Sequence, residues 1–131
     1  MEQLTVGALK ENYGVVMEFA ERYLEAEKIP ERERMKMLVA VDEIVNNIIS
    51  YSGAKTCSLE CFREKEGICF RFTDDGAAFN PLEKEDPDIS AGIEERPLGG
   101  LGIYLVRKSM SDVTYEYRDN CNILTLQKKV E

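Results

Sequence analysis

Apolar residues recur near the start of the chain at roughly helical spacing, at Leu9, Val16, Phe19, Ala20, Tyr23 and Leu24. This pattern predicts a helix that ends before Pro30, preceded by a short strand over residues 2–6. A second helix is predicted over residues 31–52, with Met37, Val41, Ile44, Val45, Ile48 and Ile49 as its apolar arc and Gly53 as its stop. The period then shortens to two. Residues 56–63 and 68–73 alternate as strands around a turn at Glu64, Lys65, Glu66 and Gly67, and residues 113–117 and 123–127 repeat the pattern as a second hairpin. Between the hairpins lie an irregular stretch, residues 80–98, and a short helix from near Leu101 to Met110.

The order strand, helix, helix, hairpin, loop, helix, hairpin predicts an α+β fold, a two-layer sandwich with helices on one face of a mixed, mostly antiparallel sheet. The loop holds Pro81, Pro87 and Pro97 and a run of mixed charge, and a stretch of that length inside a small domain tends to be a lid or binding loop. A chain of 131 residues is expected to form one domain, residues 1–131, with a core large enough to need no metal or disulfide staple. No apolar run has the roughly 20 residues of a membrane span. The first residues lack a basic and then apolar leader, so the expected location is the cytoplasm.

Seventeen basic and 25 acidic residues give a net charge of −8, which disfavours nucleic acid and anionic membranes as partners. There is no histidine, which excludes hydrolase triads of the Ser/His/Asp and Cys/His kinds and makes any general base a carboxylate or lysine. Cys57, Cys61, Cys69 and Cys121 form no CxxC pair. Cys57 and Cys61 share a strand face with Leu59, where a reduced thiol serves as a small apolar filler.

Three polar clusters carry the candidate chemistry. Glu43 and Asn47 lie about 40° apart around the second helix, away from its apolar arc. They form either a solvated stripe or a functional one. Asn46 and Asn47 together cost roughly 0.6 kcal/mol each relative to alanine in a helix interior, a cost that metal or substrate binding would offset. Asp74, Asp75 and Gly76 follow a strand, where a plain turn competes with a role for Asp74 in accepting a hydrogen bond from an exocyclic amine while Gly76 lets backbone approach a ring. Gly99, Gly100 and Gly102 open the short helix. They suit a hinge, or a site where amides at a helix N-terminus meet phosphate. No GK[ST] follows them and the GxGxxG spacing is absent, which removes the common phosphate-loop and dinucleotide motifs.

The ordered set, Glu43 to Asn47 on a helix, Asp74-Asp75-Gly76-Ala77-Ala78-Phe79-Asn80-Pro81 after a strand and Gly99-Gly100-Leu101-Gly102 opening a helix, resembles the N, G1 and G2 boxes of the GHKL ATPase superfamily. Within it, the chain looks like a stand-alone anti-sigma factor serine/threonine kinase, with the resemblance running from the first strand to the final lysines. The resemblance implies the GHKL (Bergerat) fold, ATP as cofactor with ADP as product, and Mg²⁺. It implies that Asn47 holds the Mg²⁺, that Glu43 is the catalytic base, and that Asp74 binds the adenine amine with Gly76 beside it. Gly100 and Gly102 would line the phosphates, residues 80–98 would form the ATP lid, and Arg96 would reach the terminal phosphate, unless it is a solvated loop arginine. The implied partners are a sigma factor and an anti-anti-sigma protein of the STAS class, and relatives of this kind are often homodimers.

The sequence also departs from the family pattern. Tyr51 stands where a histidine often follows the motif asparagine, Asn122 where many relatives carry a last-strand threonine, and Ala78 where many carry glycine. These departures leave open a second function, a nucleotide-gated protein-binding module without phosphoryl transfer.

Overall fold

The computed structural model describes residues 1–83 and 100–130. Strand β1 (Glu2–Gly7) leads through a single turn of 3₁₀ helix, Lys10–Asn12, into helix α1 (Tyr13–Ala26) and helix α2 (Glu31–Tyr51). Strands β2 (Thr56–Glu64) and β3 (Gly67–Asp74) form the first hairpin; helix α3 (Gly100–Ser109) precedes the second, β4 (Asp112–Arg118) and β5 (Cys121–Lys129). The strands join in the order β1-β2-β3-β5-β4.

Every strand pair among the described residues is antiparallel, so the expected mixed sheet is corrected. The connections explain why. A single crossover helix returns the chain parallel, but α1 and α2 form an up-and-down pair that brings β2 back antiparallel to β1. The β4–β5 turn places Asp119 and Asn120 at φ of 54° and 61°, the left-handed pair of a tight hairpin.

The strands alternate as expected. Leu59, Cys61, Phe70, Phe72, Leu124 and Leu126 point into one core with the apolar faces of α1, α2 and α3, whereas Glu60, Arg71 and Thr125 lie on the opposite face, which no described helix covers. Of the arc read for α2, Met37, Val41, Ile44, Val45 and Ile48 are buried, and Ile49 is half-buried. Gly53, at φ 70°, ends that helix, and the Ser52 hydroxyl completes the stop by donating to Ile48 O (2.6 Å) and accepting from Ala54 N–H (3.0 Å).

Two expectations shift. Leu9 is 53% exposed and precedes α1 in an extended conformation, because Asn12 closes the 3₁₀ turn by donating its amide to Gly7 O (2.9 Å) and the helix starts only at Tyr13. The predicted irregular stretch opens with a 3₁₀ turn at Pro81–Glu83, which Asn80 supports by accepting from Leu82 N–H. Residues 84–99, with Arg96, Gly99 and most of the expected lid, lie outside the described residues. Cys57, Cys61 and Cys69 are buried as apolar fillers, and burial pushes all three thiols up.

Candidate functional site

Strand register decides what faces Asp74. In the β3–β5 ladder Asp74 stands directly opposite Asn122, and both are buried, at 6% and 5% exposure. Asp74 Oδ1 accepts from Gly76 N–H (2.9 Å) and from the Asn122 amide (3.0 Å). No donor among the described residues reaches Oδ2. A buried carboxylate oxygen without a donor is costly, so its presence in an otherwise paired cluster marks a place for an outside hydrogen-bond donor.

Asp75 does something different. Its carboxylate accepts from Lys55 N–H (2.7 Å), Thr56 N–H (3.0 Å) and the Thr56 hydroxyl (3.2 Å), tying the end of β3 to the start of β2. The backbone hydrogen bonds from Thr56 and then Lys55 hold it below the usual carboxylate range. Of the two adjacent acids, only Asp74 turns toward the helices' side.

Gly76 corrects an expectation. A Cβ there would stand 2.4 Å from Ser52 O, so the room left by the missing side chain is taken up by the protein's own backbone at the end of α2 rather than by an approaching ring. Ala77 N–H donates to the same carbonyl (3.3 Å), which fastens the segment after β3 to α2.

On α2, Glu43 and Asn47 are both half-buried, with the Asn47 amide donating to Glu43 Oε1 (3.3 Å). This geometry uses the Asn47 nitrogen and leaves its Oδ1 without a donor among the described residues. Glu43 lies against the first turn of α3, where its carboxylate fills the space a side chain at residue 102 would occupy. The N-terminal amides of α3 therefore start beside a carboxylate. Asn46, the costly neighbour, donates to Asp42 O (2.9 Å) and Asp42 Oδ1 (3.1 Å), and Tyr13 donates its hydroxyl to the same carboxylate. That hydrogen bond is the main cause raising the Tyr13 phenol, ahead of burial and the Asp42 charge. Asn46 thus has a local partner on its own helix, and only Asn47 reaches the cavity described next.

Ile44, Asn47, Ile48 and Ser52 from α2, Phe72 and Asp74 from β3, Phe79 and Pro81 from the following segment, and Tyr115, Asn122 and Leu124 from the second hairpin line a cavity of about 40 Å³. Its walls are apolar, with Asp74 at one end and Asn47 on the helix side. This combination suits the edge of a flat heteroaromatic ring carrying an amine. The structure therefore brings together Asn47, Asp74, Glu43 and Gly102, with Gly76 supporting from behind and Gly100 as the first residue of α3. Tyr51 does not join them; it is 71% exposed and outside the cavity.

Sequence reasoning noted Asn122 only as a departure and missed Tyr115. Asn122 has the most connections of any side chain in the site. Its amide nitrogen donates to Asp74 Oδ1, Ala77 O (2.9 Å) and Gly76 O (3.4 Å), while its oxygen accepts from Phe79 N–H (2.9 Å) and the Tyr115 hydroxyl (2.5 Å). Burial, opposed by a hydrogen bond with the Phe79 backbone and reinforced by the Asp74 charge, pushes the Tyr115 phenol up, so it remains a donor at neutral pH. A signal was available: Asn122 is the polar member of an alternation whose other inward residues are Leu124 and Leu126.

The family model of the histidine kinase-like ATPase domain matches residues 6–128, and the chain belongs to that family. Within this class it resembles the serine/threonine-protein kinase BtrW of Bordetella bronchiseptica, with 28% identity over 99 residues, 72% of this chain and 70% of that protein. Among solved structures, a chain of the SiaB-SiaC complex from Pseudomonas aeruginosa superposes with a TM-score of 0.58 at 15% identity, covering 99% of this chain and 90% of that one. The Acinetobacter baumannii histidine kinase AdeS gives a TM-score of 0.58 at 12% identity, covering 98% of this chain and 68% of that one. At those identities the two structures bear on the fold alone, and they agree with the α+β architecture. No helix among the described residues is long and apolar enough to cross a membrane.

Proposed function

We propose that this chain works in the cytoplasm as a single-domain, ATP- and Mg²⁺-dependent protein serine/threonine kinase. Its substrate would be an anti-anti-sigma protein of the STAS class, and it would hold a sigma factor when not engaged with that substrate. The observation that carries the reading is Asp74: a carboxylate 6% exposed, with one oxygen committed to Gly76 and Asn122 and the other facing an apolar cavity without a donor. An adenine amine is the donor such a site lacks. The family membership and the kinase among the relatives support the choice of ATP and of phosphoryl transfer.

The residues divide the work along α2 and α3. Asp74 accepts from the adenine amine, and Ile44, Ile48, Phe72 and Leu124 enclose the ring. The amides opening α3 at Gly100 and Gly102 supply N–H groups and the positive end of the helix dipole to the phosphates. Asn47 Oδ1 is an oxygen ligand suited to Mg²⁺, which takes few protein ligands and completes its shell with phosphate oxygens and water. When bound, Mg²⁺ neutralises charge on the β- and γ-phosphates. Glu43 takes the proton from the attacking serine or threonine hydroxyl as its oxygen bonds to the γ-phosphorus; the bond to the leaving oxygen breaks and ADP departs. Arg96 is proposed as a further contact to the terminal phosphate. Phosphorylation gives the partner nearly two further negative charges, which a chain of net charge −8 repels, favouring release.

Calorimetry with ATP and ADP, with and without Mg²⁺, tests the pocket, with Asp74→Asn as the control. Metal-dependent binding lost in the variant supports the reading, and no binding by the folded wild type sinks it. Glu43→Ala then separates a kinase from a nucleotide-gated module. Loss of phosphoryl transfer with ATP affinity retained supports the kinase, and partner binding that keeps its nucleotide dependence with no transfer even in the wild type supports the module.

A further inference from the structure

Asn122 sits between two things the proposed function treats separately, the carboxylate that meets the base and the segment that follows it. The orientation of its amide is fixed. The oxygen faces two donors, the Phe79 N–H and the Tyr115 hydroxyl, and the nitrogen faces the Asp74 carboxylate and the carbonyls of Gly76 and Ala77. Turning the amide over would set its NH₂ against the Phe79 N–H and its oxygen against three acceptors. A side chain buried to 5% exposure has no water to relieve that mismatch.

We infer that Asn122, locked by Tyr115, is a positioning residue that sets base selectivity and couples the occupied base site to Phe79. Because Asn122 can only donate toward Asp74, Asp74 stays an acceptor, and its remaining oxygen is held into the cavity. An acceptor held there favours a base with an amine at that edge and rejects one with a carbonyl, whose oxygen would face the carboxylate with no proton between them. The same amide joins Phe79 to Asp74, so a donor that steadies Asp74 also steadies the Phe79 N–H. This rests on the nucleotide reading above.

The test compares ATP with inosine triphosphate, which replaces the amine with a carbonyl, in the wild type, Asn122→Leu and Tyr115→Phe. Melting curves establish that each variant is folded, and Tyr115→Phe, which removes one hydroxyl, serves if Asn122→Leu does not fold. The wild type is expected to prefer ATP by about 10-fold or more, the scale of a hydrogen bond to a charged acceptor. Asn122→Leu should bring the ratio close to one, and Tyr115→Phe should reduce it about threefold. At saturation, ATP should slow hydrogen exchange of the Phe79 amide more than the inosine nucleotide does in the wild type, and equally in Asn122→Leu. A merely structural role would lower both affinities together and leave their ratio alone. An unchanged ratio in the folded variants overturns the inference while leaving the nucleotide reading intact. Failure of the folded wild type to bind either nucleotide overturns both.

Discussion

A Cβ at Gly102 would stand 2.0 Å from the Glu43 carboxyl carbon and 2.1 and 2.2 Å from its two oxygens. The Glu43 carboxylate and the first turn of α3 therefore occupy their positions only together. Gly102→Ala should move the carboxylate, which is the far end of a flexible side chain, at a stability cost of about 1 kcal/mol or less. Phosphoryl transfer should fall about 10-fold or more, because a base displaced by an ångström loses its alignment. Steady-state kinetics beside a denaturant titration check this, and an unchanged turnover rate would refute the placement of Glu43.

Gly76→Ala meets a harder obstacle. The new methyl would lie 2.4 Å from a backbone carbonyl, Ser52 O, which cannot swing aside as a side chain does. The variant should lose about 1–3 kcal/mol of stability, the scale of overpacking, together with nucleotide binding. Thermal melting reads the first effect. A melting temperature equal to the wild type's would mean that α2 and the segment after β3 are not held together there.

Asp75 makes stability depend on acid. Its folded pKa is lowered from the ordinary 3.8, so the unfolded chain binds a proton more readily and the contribution of Asp75 is fully present above that value. It is lost as pH falls through the lowered folded value. Asp75→Asn should therefore lower the urea midpoint at neutral pH, and the gap to the wild type should close as pH drops below 3.8. A gap that persists unchanged in acid would rule out the Asp75 hydrogen bonds to Lys55 and Thr56 as its source.

Thiol reactivity should divide the cysteines. Cys121 is half-buried at the start of β5, whereas Cys57, Cys61 and Cys69 are buried with thiols pushed up by that burial. A maleimide should label one thiol per chain quickly under native conditions and the remaining three only on unfolding. Peptide mapping identifies the site, and rapid labelling of Cys61 would contradict the core packing.

Much of this arrangement was legible because it is periodic. Glu43 and Asn47 are one helical turn apart, so spacing alone set them side by side, and the two-residue alternation found every strand to within a few residues. What escaped depends on partners distant in the chain. The need for glycine at 76 comes from Ser52, which arrives from the end of α2, so local sequence suggested an approaching ring instead. The role of Asn122 depends on the β3–β5 register that puts it across from Asp74, a pairing between strands that are not consecutive. Leu9 fits the apolar spacing of α1, but Asn12 closes a turn that delays the helix, and a short-range hydrogen bond overrode the pattern.

Helix α2 carries Asn47 toward one part of the site and ends at Ser52, whose carbonyl backs the Gly76 segment at the other. The two are five residues apart on one rigid element, about 7.5 Å of helix rise. The helix thus acts as a fixed ruler between the metal end and the base end of the proposed site, and a nucleotide cannot alter that spacing. Any response that distinguishes a triphosphate from a diphosphate must then arise on the side of the ruler formed by α3 and the chain leading into it, while both nucleotides meet the same base pocket.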